Sequence, residues 1–241
     1  MKGVDISHYQ KSLTIRQIRD AGCGFVIIKV TEGTGLKDEA AFAFYCEAYE
    51  SGFPVGCYCY SHALTPGQAR SEAQFLLDTI NGFPMPCGIF LDMEEPGQLG
   101  LAKEKLTAIV SAWCGSIRKA GYVPGIYSSE YGAWAKLDPA ALPDGCLVWV
   151  AHYGKEPQIP CDLWQSGNNG RIGGVTVDTD EARSERFRRM AERGFSAPPQ
   201  TPEGETALSV LLERLGAYIR TKEFKQGFLD YIQRTEAEDD E

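Results

Sequence analysis

Apolar residues in this chain come in short compact blocks separated by longer stretches of helical periodicity. Residues 3–7 (GVDIS), 25–30 (FVIIKV), 55–61 (VGCYCYS) and 88–91 (GIFL) are apolar runs bounded by turn residues, the pattern of strands buried on both faces. Residues 124–128, 146–153 (CLVWVAHY), 162–165 (DLWQ) and 174–178 (GVTVD) extend the series to eight. Between the early strands the period changes. Residues 14–21, 38–51, 66–80 and 102–120 read as amphipathic helices, with a shorter helical piece near 130–136. In the second helix Phe42, Tyr45, Cys46 and Tyr49 share a face, and Gly22, Gly52 and Gly121 sit where helices stop.

Strand and helix alternate about every 25–30 residues, which predicts parallel βαβ units. About eight strands favour a closed barrel over an open sheet. The last strands follow one another too closely for full helices between them. The predicted fold is therefore an α/β, irregular TIM-like (β/α) barrel of about eight strands with few late helices. A doubly wound sheet is the alternative, but neither G-x-G-x-x-G nor G-x-x-x-x-G-K-[ST] occurs, so no cofactor-binding phosphate loop supports it.

The character changes after Asp178. Residues 180–193 are charged and arginine-rich, and residues 196–204 (SAPPQTPEG) have linker composition. Residues 205–235 place Leu208, Leu211, Leu212, Leu215 and Ile219, then Phe224, Phe228, Tyr231 and Ile232, on helical stripes. That predicts a C-terminal helical hairpin, followed by an acidic tail over 236–241. Two such helices cannot bury their apolar faces alone. They are expected to pack on the barrel or on a second copy, making a homodimer, or to bind the substrate's matrix.

Composition narrows the function classes. The chain has 241 residues, is 43% hydrophobic and carries a net charge of -9. Such a balance disfavours nucleic acid or an anionic membrane as partner. No apolar run approaches the roughly 20 residues of a membrane span, so no membrane insertion is expected. The N-terminus, MKGVD, lacks the apolar core of a signal peptide, and a cytoplasmic site of synthesis is expected. The eight cysteines include no C-x-x-C pair and read as buried free thiols. The three histidines, His8, His62 and His152, have no ligand spacing, so no metal is expected.

The chemistry concentrates in GIFLDMEEP, residues 88–96, where three acids follow a buried strand within four positions. Alone, a D-x-E at a strand end is more often a solvated turn. A parallel barrel changes the weighting, because the carboxyl ends of its strands meet at one mouth. There they deliver Asp5, Glu32, Tyr58, Tyr60, Asp92 with Glu94, Tyr127, the segment from Trp149 to Tyr153, Trp164 with Gln165, and Asp178. Acids from several separate segments with aromatics between them suit glycoside hydrolysis. Sugar faces stack on aromatic rings, while carboxylates carry protons and stabilise a cationic transition state. Strand alternation puts Asp92 and Glu94 on the cleft face and Glu95 on the other, as a bystander.

These residues resemble glycoside hydrolase family 25, the phage and bacterial lysozymes or N-acetylmuramidases. The resemblance is carried, in the family's order, by GVDISHYQ (3–10), FVIIKVTEGT (25–34), VGCYCY (55–60), FLDMEE (90–95), GIYSS (125–129), LVWVAHY (147–153), LWQ (163–165) and VDTD (177–180). It covers about residues 1–190. It implies an eight-stranded barrel with fewer helices than a regular one, a catalytic domain over 1–195, and cleavage of the β-1,4 bond between N-acetylmuramic acid and N-acetylglucosamine, with peptidoglycan glycan strands as partner. It also implies an enzyme that acts on the cell wall after release.

By motif match, Glu94 takes the position of the family's general acid and Asp92 that of the second carboxylate. Asp5 and Asp178 match the remaining acids, and Tyr58 a tyrosine near the cleaved sugar. Tyr60, Tyr127, Trp149, Tyr153, Trp164, Gln165 and Glu32 are candidate substrate-binding residues, whereas Trp113 and Trp134 are expected to pack helices. Residues i and i+2 of a strand lie roughly 6.5–7 Å apart. The guide separations are about 5–5.5 Å for retention and 6.5–9.5 Å for inversion, so both routes stay open. A substrate-assisted retaining route is the expectation carried forward.

Overall fold

A computed structural model describes residues 1–195. The linker, helical hairpin, acidic tail and homodimer expected for 196–241 lie outside the described residues.

The strands are β1 (Lys2–Ile6), β2 (Val26–Glu32), β3 (Leu36–Lys37), β4 (Val55–Tyr60), β5 (Ile89–Asp92), β6 (Pro124–Ser129), β7 (Leu147–Ala151), β8 (Leu163–Ile172) and β9 (Val175–Ala182). They form one sheet in the order β1-β9-β8-β7-β6-β5-β4-β2-β3, and a further pairing of β1 with β2 closes it. The result is an eight-stranded barrel with the two-residue β3 as an appendage on β2. The helices are α1 (Ile15–Asp20), α2 (Ala41–Glu50), α3 (Pro66–Ile80), α4 (Pro96–Leu99), α5 (Lys103–Lys119) and α6 (Glu185–Arg193). Helices α1 and α3 lie close to their predicted ranges because each has a clear start. Thr14 and Thr65 accept a hydrogen bond from the backbone N–H three residues on, and Pro66 opens α3.

The expectation of an all-parallel barrel fails at its last strand. Neighbours from β1 through β2, β4, β5, β6 and β7 to β8 pair in parallel, but β9 runs antiparallel to both β8 and β1. The cause is local: Gly173 and Gly174 join β8 to β9 with φ of 54° and 82°. Two consecutive left-handed residues make a tight hairpin, and a parallel crossover needs a dozen residues or more. Both strands also outrun their predicted ranges, since the polar stretch SGNNGR continues β8 instead of ending it.

Two apolar layers hold the barrel. The outer one lies between strands and helices and includes Val26, Ile28, Leu76, Ile109, Val110 and Trp113. The inner one fills the barrel with Ile27, Phe90, Leu147, Trp149 and Leu163, a packed core and not a pore. Glycine makes room for the largest rings. A Cβ on Gly125 would stand 2.3 Å from the Phe90 ring, and one on Gly3 2.4 Å from that of Phe25. At the amino end, α6 supplies Phe187, whose ring meets Phe25 edge-on at 5.0 Å. This helix is the arginine-rich stretch after Asp178. Ser184 caps it, and it buries only Phe187 and Ala191.

All eight cysteines are free thiols, and Cys57, Cys59, Cys87, Cys114 and Cys146 are buried. Trp113 and Trp134 pack in the interior as predicted; the Trp134 indole N–H donates to the Trp149 carbonyl at 3.0 Å. Among the described residues no helix is long and apolar enough to cross a membrane.

Candidate active site

Strand alternation carries side chains from the packed interior to the mouth two residues at a time. Phe90 fills the barrel, so Asp92 also points inward, one step nearer the mouth. Gly3 and Asp5, Tyr58 and Tyr60, Gly125 and Tyr127, and Leu163 and Gln165 repeat that step. Above the core lies a cavity of about 420 Å³ lined by Asp5, Lys29, Glu32, Tyr58, Tyr60, Asp92, Glu94, Glu95, Tyr127, Trp149, Gln165 and Asp178, with Ile6, Ser7, Tyr9 and Gln10 on one side. Ten of the twelve residues predicted from sequence therefore line one cavity.

Tyr153 and Trp164 are the other two. Tyr153 is at the rim, its hydroxyl donating to Gln165 Oε1 at 3.0 Å. Trp164 is a correction. Gln165 faces the cavity, so its neighbour points to the opposite side of the strand. The Trp164 indole N–H donates to the His152 carbonyl at 2.8 Å, and its ring lies under the Arg183 guanidinium. Trp149 lines the cavity but is 1% exposed, so it is floor and not an open platform.

Glu95 is a second correction. β5 ends at Asp92, and the alternation used to turn Glu95 away stops there. Glu95 instead precedes α4, lines the cavity, and sits 3.0 Å from His62 Nδ1. His62 Nε2 lies 3.2 Å from Glu32 Oε1, and Lys29 Nζ 2.7 Å from Glu32 Oε2. Lys29, Glu32, His62 and Glu95 thus form a charged chain along one wall. Its Lys29 hydrogen bond holds the Glu32 carboxyl below its usual range, aided by His62.

The acids crowd one another. Asp5 on β1 and Asp178 on β9 are register partners. Gln165 Nε2 donates to Asp5 Oδ2 at 2.8 Å, and Gln165 Oε1 accepts from the Tyr127 hydroxyl at 2.8 Å. Burial first, and then the charges of Asp178 and Glu94, push the Asp5 carboxyl up to about 7 against the pull of Gln165. Asp92 is 5% exposed, and burial, then Glu94 and Asp5, raise its carboxyl well above the usual range. Its Oδ1 is buried without a hydrogen-bond partner. Glu94 lines the cavity as an exposed residue. Desolvation in the cavity, together with Asp178, raises its carboxyl, while Tyr127 partly offsets the effect. Acids that resist joint ionisation raise one another's pKa values. The arrangement can hold a proton donor beside a buried polar acceptor.

A family model described as glycosyl hydrolases family 25 matches residues 4–175. The chain belongs to this family. Family 25 relatives include Lysozyme M1 of Streptomyces globisporus, 28% identical over 199 residues, covering 75% of this chain and 66% of the relative. The autolytic lysozyme of Clostridium acetobutylicum is 27% identical over 183 residues, covering 75% of this chain and 54% of the relative. The chain thus spans between half and two thirds of the length of these two relatives. Among solved structures, the bacterial lysozyme of Streptomyces coelicolor superposes with a TM-score of 0.68 at 25% identity, covering 82% of this chain and 98% of that one.

Sequence reasoning passed over several residues of this family 25 cavity. Lys29 was read as part of a buried strand, although a lysine in the inward series of β2 is a signal in itself. Ser7 and Gln10 of the D-x-S-x-x-Q motif act locally. The Ser7 N–H donates to Gln10 Oε1 at 3.0 Å, and Gln10 Nε2 donates to the Thr176 carbonyl at 3.1 Å, tying the turn after β1 to the β8–β9 hairpin. Asp180, two residues beyond Asp178 and on the same face of β9, lies beneath the cavity. It is 1% exposed and accepts the Trp149 indole N–H at 2.9 Å.

Proposed function

We propose that this chain is a lysozyme, hydrolysing the β-1,4 bond between N-acetylmuramic acid and N-acetylglucosamine in peptidoglycan. The observation that carries the reading is Glu94, a carboxyl with a raised pKa in an open cavity beside the buried Asp92, inside a family 25 barrel. Glu94 protonates the leaving oxygen; a pKa raised above the usual carboxylate value favours the protonated form that a general acid needs. Asp92 does not need to attack carbon. Its carboxyl lines the cavity and is the acceptor for the N–H of the substrate's acetamido group. That hydrogen bond turns the acetamido oxygen toward the anomeric carbon, and the substrate supplies its own nucleophile. Glu94, now a carboxylate, then takes a proton from the water that opens the intermediate, and the configuration is retained. Asp5 and Asp178 supply negative charge facing the cationic transition state. Retention of all four acids disfavours a non-catalytic glycan-binding module.

The products test both levels of this reading. After digestion of purified peptidoglycan and borohydride reduction, the new reducing ends are expected to be muramic acid, with the β anomer formed first by proton NMR. Glucosamine ends would make the enzyme a glucosaminidase. A first-formed α anomer would eliminate the acetamido route while leaving the bond assignment intact.

A further inference from the structure

Two large aromatic side chains stand almost free in water at the mouth. Tyr9, in the turn after β1, is 78% exposed, and Tyr131, in the turn after β6, is 80% exposed. An aromatic face left in water gives up a large burial gain. These two are also not loose. The Tyr9 ring centroid lies 4.1 Å from that of His8, and His8 Nδ1 lies 2.8 Å from Oδ2 of Asp38, a fully buried side chain that also accepts the His8 backbone N–H at 3.0 Å. Across the mouth, Tyr131 meets the ring of His152 at 5.4 Å, and His152 Nδ1 lies 2.6 Å from Oε2 of the buried Glu130. The same construction occurs twice: buried carboxylate, histidine, exposed tyrosine.

Their placement relates them to each other. Three strands separate β1 from β6 in either direction around the closed ring, so the two turns lie on opposite sides of the mouth. One borders the cavity and the other is linked to its rim. Tyr9 borders it directly. His152, behind Tyr131, is followed by Tyr153, which is bonded to the Gln165 that holds Asp5.

We infer that Tyr9 and Tyr131 are braced stacking platforms for sugar units of a glycan strand that runs across the mouth and beyond the cavity on both sides. The inference rests on the glycan-cleaving reading above and adds to it the path and minimum length of the bound polymer. The histidine and buried carboxyl group behind each ring fix its orientation before binding, so little side-chain freedom is lost when a sugar stacks.

Tyr9→Ala, Tyr131→Ala and the double variant would be assayed on long soluble glycan strands and on a tetrasaccharide of the same repeat. Each single variant is expected to raise KM on long strands by about five- to tenfold, the size of one lost stacking contact, with the loss in KM and not in kcat and a smaller effect on the tetrasaccharide. Tyr→Trp at either position should restore the long-strand KM. Equal losses on both substrates, or no loss on either, would overturn the inference. Binding of the Glu94→Gln protein to purified walls, with and without the tyrosines, separates this from catalysis. If the wild type cleaves nothing, the lysozyme reading fails, but weaker wall binding without the tyrosines still supports the platforms. Unchanged binding overturns them.

Discussion

Asp180 shows how one buried carboxyl can set the pH behaviour of the site. Burial, and then the charge of Asp5, raise it well above the usual carboxylate range, and its Oδ2 has no hydrogen-bond partner. The groups facing it are Asp5 on β1, Asp178 on its own strand, the Trp149 indole on β7 and Cys23 before β2. A carboxyl whose pKa is higher folded than unfolded contributes stability that is complete below the unfolded value, about 3.9, and is lost as pH rises through the folded value. Asp180→Asn keeps an acceptor for Trp149 and removes the titration. Its melting temperature relative to wild type is therefore expected to rise as the pH is raised above about 4, as followed by thermal denaturation. A difference that stays flat or falls over that range would contradict a protonated Asp180. Nothing in VDTD singled this residue out. Asp178 matched a family position, whereas the role of Asp180 depends on a strand direction that the sequence pattern had wrong.

At the scale of elements, legibility followed hydrophobic contrast. β2, β4, β5 and β7 are apolar on both faces, α3 opens on Thr65 and Pro66, and α5 carries a long apolar stripe from Leu106 to Ile117, so all six could be read. β8 and β9 could not be read to their full length. The outer half of β8 carries Gly, Asn and Arg and is held by pairing with β9 instead of by burial, and the added end of β9, TDEA, is polar and held by pairing with β8 and β1. α6 was hidden for a related reason: only two of its side chains are buried, and their partners, including Phe25, are some 160 positions away in the chain. Glu95 was misplaced because alternation was extended one turn past the end of β5. The barrel's dependence on close backbone approach gives a stability test at this scale. Gly125→Ala forces a Cβ to within 2.3 Å of a Phe90 ring that cannot leave the packed interior. Overpacking of this kind costs about 1–3 kcal/mol, and urea denaturation should show a loss of that size. A neutral result would mean that the interior has space the structure does not show.

For the whole molecule, barrel closure is what turns a weak local motif into a site. Asp5 and Glu94 are 89 positions apart, and Asp178 lies 84 beyond Glu94. Only a ring in which β1 pairs with both β2 and β9 brings the three together. Replacing the last parallel strand by a hairpin places Asp178 opposite Asp5 and lets the hairpin rest on the turn that carries Tyr9. The mouth is therefore built by the most irregular part of the barrel, while the regular part supplies the floor. The claim on which everything else depends is that Glu94 delivers a proton to a glycosidic oxygen of the wall. It is tested by the clearing of purified peptidoglycan by wild type and Glu94→Gln at equal concentration, with matched melting curves to establish that both are folded. The account predicts that wild type clears the suspension and that the variant is slower by about 10²–10⁴-fold. Equal clearing by the two folded proteins would contradict it.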